Sequence, residues 1–191
     1  MTGNVFRNNQ CNGIWLDIDN YGSLVANNRS VHNAGSGIVH EISYAAAILH
    51  NTVEANGGFG ILVRSSPNDQ ISGNVVVDNN HGGILLLDRR RDDHPSSFGT
   101  HQTRSTVVDN NVIRIRACGM AVGIVGASAG SITASDRFDH NVYVLPRLWS
   151  PAFRLGRPID AASWQASGED VESLFQTARR SAGGTQPATT G

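Results

Sequence analysis

Lysine is absent from this chain. All fifteen of its cationic side chains are arginine, set against sixteen carboxylates for a formal charge of −1. With charges this sparse and no basic block, nucleic acid is not expected as a partner, because phosphate binding needs a concentrated cationic face. No apolar run approaches the length of a membrane-spanning helix, so no membrane partner is expected. The first residues also lack the basic-then-apolar layout of a secretion signal. Asparagine stops abruptly: all seventeen precede residue 142, and the last fifty residues contain none. What remains, 191 residues, is enough for one domain with a substantial core.

The chain is built on repetition. Gly-Ile pairs stand at Gly13-Ile14, Gly37-Ile38, Gly60-Ile61 and Gly83-Ile84, at steps of 24, 23 and 23 residues. Nine residues before each glycine lies an asparagine (Asn4, Asn28, Asn51, Asn74), and five residues after each of those lies another (Asn9, Asn33, Asn56, Asn79). Val25, Ile48 and Ile71 precede the first asparagine column by three residues, and Val108 before Asn111 and Phe138 before Asn141 continue it. A unit of this length, with a β-rich run and Gly/Asn corners, predicts a solenoid coil of short parallel strands. The fixed leucine scaffold and helical segment of leucine-rich repeats are missing.

Over roughly residues 3–145 the pattern resembles the right-handed parallel β-helix repeat family, in the pectate-lyase-like group of folds. The resemblance implies an all-β solenoid of five to six coils. It also implies an extracellular or cell-surface location in the parent protein, and it leaves the chemistry open among lyases, hydrolases, epimerases and inert spikes. The expected organisation is coils over 1–145 with an insertion at 88–105, a capping segment over 146–180, and a disordered tail over 181–191. "TGN" at residues 2–4 matches "SGN" at 72–74, which closes a coil. Met1 therefore enters a solenoid in progress, and the expectation is the C-terminal part of a longer protein, lacking its N-terminal cap and open to association through that end. At the other end, Asp160 is placed to cap a short helix around 161–165. Trp164 is placed to plug the last coil; its "WQASGEDVES" context resembles the closing segment of secreted polysaccharide-degrading β-helix proteins.

Coils stack about 4.8 Å apart, so like residues form ladders. The asparagine columns predict amide ladders at the corners, and the glycines are expected to supply turn conformations closed to other residues. Cys11 and Cys118 fall in one column four coils apart, about 19 Å, too far for a disulfide.

The segment "NGIWLDID" at residues 12–19 gains meaning from this register. With Ile14, Ile38, Ile61 and Ile84 inward, alternation turns Trp15, Val39, Leu62 and Leu85 outward. The next outward positions are Asp17, Glu41, Arg64 and Leu87, and then Asp19, Ser43, Ser66 and Arg89. His40 falls inward as a bonded core histidine. An outer column that is apolar implies cover, and the arginine-rich insertion at 88–105 is the expected cover. An apolar floor beside carboxylates would form a groove suited to a sugar chain.

The expected activity is that of a carbohydrate-active protein, with hydrolysis preferred because it requires two carboxyl groups about 5–9.5 Å apart. Asp17, Asp19 and Glu41 are the candidate acid, base or nucleophile; Trp15, Arg64, Arg89 and His94 are the candidate substrate contacts. The alternatives are a lyase or epimerase acting on uronans, or a non-catalytic β-helix in which the charges form only a surface ladder. No cofactor is required, although the Asp-x-Asp spacing could hold calcium.

Overall fold

The computed structural model describes residues 1–89, 96–116, 119–126 and 135–178. The chain winds into a parallel β-helix with three sheets. Sheet I stacks Val5–Arg7, Arg29–Val31, Thr52–Glu54, Val75–Val77, Val112–Arg114, Val142–Leu145 and Leu174–Thr177. Sheet II stacks Ile14–Asp17, Ile38–Glu41, Phe59–Arg64, Gly82–Leu87, Met120–Val125 and Phe153–Leu155, and ends on an antiparallel strand, Arg157–Ile159. Sheet III stacks Leu24–Ala26, Ala47–Leu49, Gln70–Ser72, Val107–Asp109 and Arg137–Asp139. Among the described residues, five coils contribute to all three sheets, and a sixth contributes to two.

The core is a set of apolar columns, as the periodicity requires. Ile14, Ile38, Ile61, Ile84, Val122 and Phe153 are consecutive register partners in sheet II. Val25, Ile48, Ile71, Val108 and Phe138 do the same in sheet III. All are buried. At about 25 cal/mol per Å² of apolar surface, these stripes supply the main drive for coil stacking.

Two asparagine ladders run up the corners on either side of sheet I. Asn4, Asn28, Asn51, Asn74, Asn111 and Asn141 each pass backbone and amide N–H bonds to Oδ1 of the next, at 2.9–3.2 Å. Asn9, Asn33, Asn56 and Asn79 repeat the arrangement. The residue before each ladder asparagine often has positive φ, as at Asn27, His32, His50, Ala55 and Asp78. The bend turns backbone groups away from sheet pairing, and the next asparagine satisfies them.

The glycines of the Gly-Ile pairs serve a different purpose from the one expected. Gly13, Gly37, Gly60 and Gly83 are not in the left-handed region. A Cβ at Gly37 would lie 2.8 Å from both Asn56 Nδ2 and Gly60 O, and Gly13 and Gly60 meet the same two obstacles. Gly13, Gly37 and Gly60 are small because a sheet I side chain, the ladder amide and the next coil's carbonyl already fill the space, and at Gly83 Ala121 O and the Ile113 side chain do so.

The last coil is closed by the helix Ala161–Ala166. Asp160 accepts from Ser163 N at 2.8 Å as its N-cap. Trp164 is fully buried, 5.2 Å from Phe138 and 5.5 Å from Phe153 between ring centroids.

Candidate functional site

Trp15, Val39, Leu62 and Leu85 are register partners on the outer face of sheet II. Val39, Leu62 and Leu85 form a second apolar cluster outside the solenoid, with Phe59, Leu87, Met120 and Val125 packed against it. Trp15, on the first coil, is 51% exposed. Of the insertion at 88–105, expected as the cover, residues 96–105 pack on the corner between sheets II and III, and 90–95 lie outside the described residues. Phe98 stacks on Tyr21 at 5.0 Å, and the Tyr44 hydroxyl donates to Gly99 O at 2.7 Å.

Asp17, Glu41, Arg64 and Leu87 are also register partners. Arg64 NH1 donates to Glu41 Oε1 at 2.9 Å, with the two side chains 30% and 6% exposed. Arg64 Nε is buried and finds no hydrogen-bond partner among the described residues. Asp17 is exposed. Trp15, Glu41 and Arg64 line a cleft of about 390 Å³ together with Cys11, Asn12, Ala34, Gly35, Ser36, Val39, Gly57, Gly58, Phe59, Leu62 and His81. Glu41 is the only carboxylate among the described lining residues.

The second outward set does not form. Ile18 and Asp19 both adopt φ 56°, whereas the next two coils turn the same bend on Ile42 or Ser65 alone. The first coil thus carries one extra residue at its bend, and the ladder beyond is Asn20, Ser43, Ser66 and Thr103, each backbone N–H meeting the next hydroxyl. Ser43 and Ser66 are buried. Asp19 is drawn to the corner instead, with Oδ1 3.1 Å from His101 Nε2. Arg89 is exposed, its backbone paired with Ser65 Oγ. His94 lies outside the described residues, as do Cys118 and the tail at 181–191; Cys11 is a free, exposed thiol.

His40 points inward and is fully buried, with Nδ1 2.7 Å from Asp69 Oδ2. Asp69 belongs to a run of buried carboxylates at the entry to sheet III that the sequence reading missed. Asp69 accepts from Ala46 N, Asp136 from Thr106 N and Glu169 from Phe138 N, at 2.8–2.9 Å. Burial raises the pKa of Asp69 against the opposing bond and charge of His40. Burial is also the largest cause at Asp136, pushed up to about 6, and at Glu169, pushed up to about 7; Asp88 adds to the first and Asp170 to the second. A 23-residue spacing could have flagged Ala46 and Asp69 as one column, but Asp136 and Glu169 follow irregular steps.

A three-residue set that could ligate a metal stands apart from the cleft: Asp139, His140 and Glu172 bring ligand atoms within 4.8 Å of one another. His140 Nε2 lies 2.9 Å from Glu172 Oε2 and Nδ1 3.6 Å from Asp139 Oδ2, so the three side chains contact one another.

A family model described as periplasmic copper-binding protein (NosD) matches residues 1–114. The chain belongs to the NosD family. The match spans the first four coils, the cleft and the apolar outer column. Comparison with curated proteins and with solved structures yields no match to this NosD-family chain.

Proposed function

We propose that this NosD-family chain is a binding module that acts outside the cytoplasm and holds a polysaccharide in the cleft on sheet II. One observation carries the reading: an exposed indole, Trp15, adjoins an apolar floor of Val39, Leu62 and Phe59 that ends on the hydrogen-bonding pair Glu41–Arg64. Aromatic and apolar surface to cover a sugar ring, with a few fixed polar groups for its hydroxyls, is the composition of a carbohydrate site. The family's description as periplasmic supports the location.

Binding is favoured over hydrolysis. Hydrolysis needs two carboxyl groups flanking one bond. Glu41 is held by Arg64, Asp17 is not among the lining residues, and Asp19 turns to His101 at the corner.

Copper does not fit the described residues of the matched span. Among the described residues of 1–114 no three potential ligands converge. Cys11 and His81 line opposite ends of the cleft, three coils or about 14 Å apart, and the imidazoles of His40 and His101 are engaged by Asp69 and Asp19. Asp139, His140 and Glu172 lie beyond that span, so no part of the proposed function runs through the metal.

Affinity electrophoresis against a panel of soluble polysaccharides tests the proposal, with reducing-end and unsaturated-uronate assays run on the same panel. Retention without product release, weakened at least about ten-fold in Trp15→Ala, is the expected result. Release of reducing ends that disappears in Glu41→Gln would restore the hydrolase reading, and unsaturated products would favour a lyase.

A further inference from the structure

The corner where sheet III leads into the last coils gathers a second set of polar groups, independent of the cleft and of its proposed ligand. Asp139 ends the strand Arg137–Asp139, His140 turns the bend toward sheet I with φ 56°, and Glu172 comes from the segment between the capping helix and the strand Leu174–Thr177. Val142 and Leu174 are register partners, so the same count sets Glu172 on His140 in the adjacent coil. Residues 33 positions apart along the chain thus meet at one bend.

The geometry orients their free atoms toward one another. Asp139 Oδ1 accepts from the backbone N–H of His140 and of Glu172, both at 3.0 Å, which fixes the carboxylate and leaves Oδ2 3.6 Å from His140 Nδ1. The other ring nitrogen, Nε2, lies 2.9 Å from Glu172 Oε2. A neutral imidazole carries one N–H and one lone pair, so between two carboxylates one nitrogen turns a lone pair on an anionic oxygen unless a cation stands there. One ligand atom from each residue lies within 4.8 Å of the other two. Zinc bonds to nitrogen and oxygen put neighbouring ligand atoms roughly 3.3 Å apart, and rotation of Glu172, whose side chain is 68% exposed, closes the difference. Asp109, the register partner of Asp139 one coil away, has a buried Oδ1 with no hydrogen-bond partner among the described residues, a deficit that positive charge at this corner reduces. The competing cation is Arg137, whose NH2 stands 3.6 Å from Asp139 Oδ2 on an exposed side chain. That distance is too long for a hydrogen bond.

We infer that Asp139, His140 and Glu172 bind one divalent transition-metal ion of the zinc type, which clasps the capping segment to the last strand of sheet III. Imidazole with two carboxylates is a borderline donor set, suited to zinc or cobalt(II), whereas magnesium and calcium take oxygen shells. Calorimetric titration of the metal-free full chain with zinc at neutral pH, with cobalt(II) absorption as a second readout, tests the site. One equivalent binds, a large excess of magnesium does not displace it, and affinity falls at least about ten-fold in His140→Asn, which keeps a residue suited to the left-handed φ, and in Glu172→Gln. Arg137→Ser, which removes the competing guanidinium, tightens binding. Zinc at a hundred-fold excess over Kd raises the melting temperature by about 5 °C and slows amide exchange over residues 161–177, and neither effect occurs in the two ligand variants. Glu172→Gln, at an exposed position, keeps the test open should His140→Asn fold poorly. Failure to bind zinc or cobalt(II), or binding undiminished in both ligand variants, overturns the site. Displacement by magnesium overturns the class of ion, and binding that moves neither melting nor exchange overturns the clasp.

Discussion

The indole Nε1 of Trp164 donates to Oδ2 of Asp170 at 2.6 Å, joining the plug of the solenoid to a fully buried carboxylate. Asp170 also accepts from the Tyr143 hydroxyl at 2.7 Å, from Asn141 Nδ2 at 2.9 Å and from the Ser173 hydroxyl at 2.5 Å. One acid therefore ends the asparagine ladder, pins the capping helix and satisfies a buried phenol whose pKa burial raises well above its ordinary value. Asp170→Ala leaves four donors without their acceptor and is expected to cost about 4 kcal/mol in urea unfolding. Asp170→Asn keeps a residue suited to its φ of 53° and should cost less. A loss below about 1 kcal/mol in Asp170→Ala would mean that the side-chain bonds contribute little.

The ladders yield a sharper contrast. Asn51 accepts from Asn28 N and Nδ2, and donates to Val25 O and to Asn74 Oδ1. Asn51→Ala should cost about 3 kcal/mol, because buried groups on three coils lose partners at once. Asn80→Ala, at an exposed position whose amide oxygen meets Arg116 NH1 at 3.3 Å, should stay within about 0.5 kcal/mol. Chemical denaturation of both variants gives the comparison directly.

Stability should fall as pH rises from about 4 through about 7. Asp136 and Glu169 have folded pKa values raised above their ordinary ones, to about 6 and about 7. The folded chain therefore holds protons that the unfolded chain has released. Their protonated forms are fully favourable below the unfolded values, and that contribution is lost as pH climbs through the folded ones. Asp136→Asn keeps an acceptor for Thr106 N and should flatten the acid side of this profile. Denaturation midpoints across the range test it, and a profile that rises between pH 4 and 7 and is unchanged by the variant would exclude this assignment.

Arg64 and Glu41 should behave as a coupled pair. Arg64→Leu removes a hydrogen-bonding counter-charge of the buried Glu41 and is expected to cost on the order of 2 kcal/mol. The Glu41→Leu, Arg64→Leu double variant should recover most of that loss, as replacement of a buried pair by apolar groups often does. A double-mutant cycle read by thermal unfolding measures the coupling, and additive losses would mean that the pair is not coupled.

Much of this was legible in the chain because a solenoid repeats its environment at a fixed interval. Ile14, Ile38, Ile61 and Ile84 share one burial, so they share one residue type, and the asparagines share one corner geometry. His40 could be placed inward, and Glu41 beside Arg64, from the same count. The register failed only two residues past Asp17. An extra residue at a left-handed bend leaves no mark on the hydrophobic pattern, so Asp19 was assigned to Ser43 when Asn20 takes that place.

The sequence by itself determined the coil, its sheets, its ladders and the capping helix, because each follows from local alternation and a period of about 23 residues. Tertiary structure alone decided which polar groups meet. The run from Asp69 through Asp136 to Glu169, the four bonds to Asp170, the docking of Phe98 on Tyr21 and the removal of Asp19 from the outer face all join segments separated by insertions of unequal length. Once the interval between coils varies, spacing along the chain no longer gives position across it. Only the stacking of the folded coils brings those side chains together.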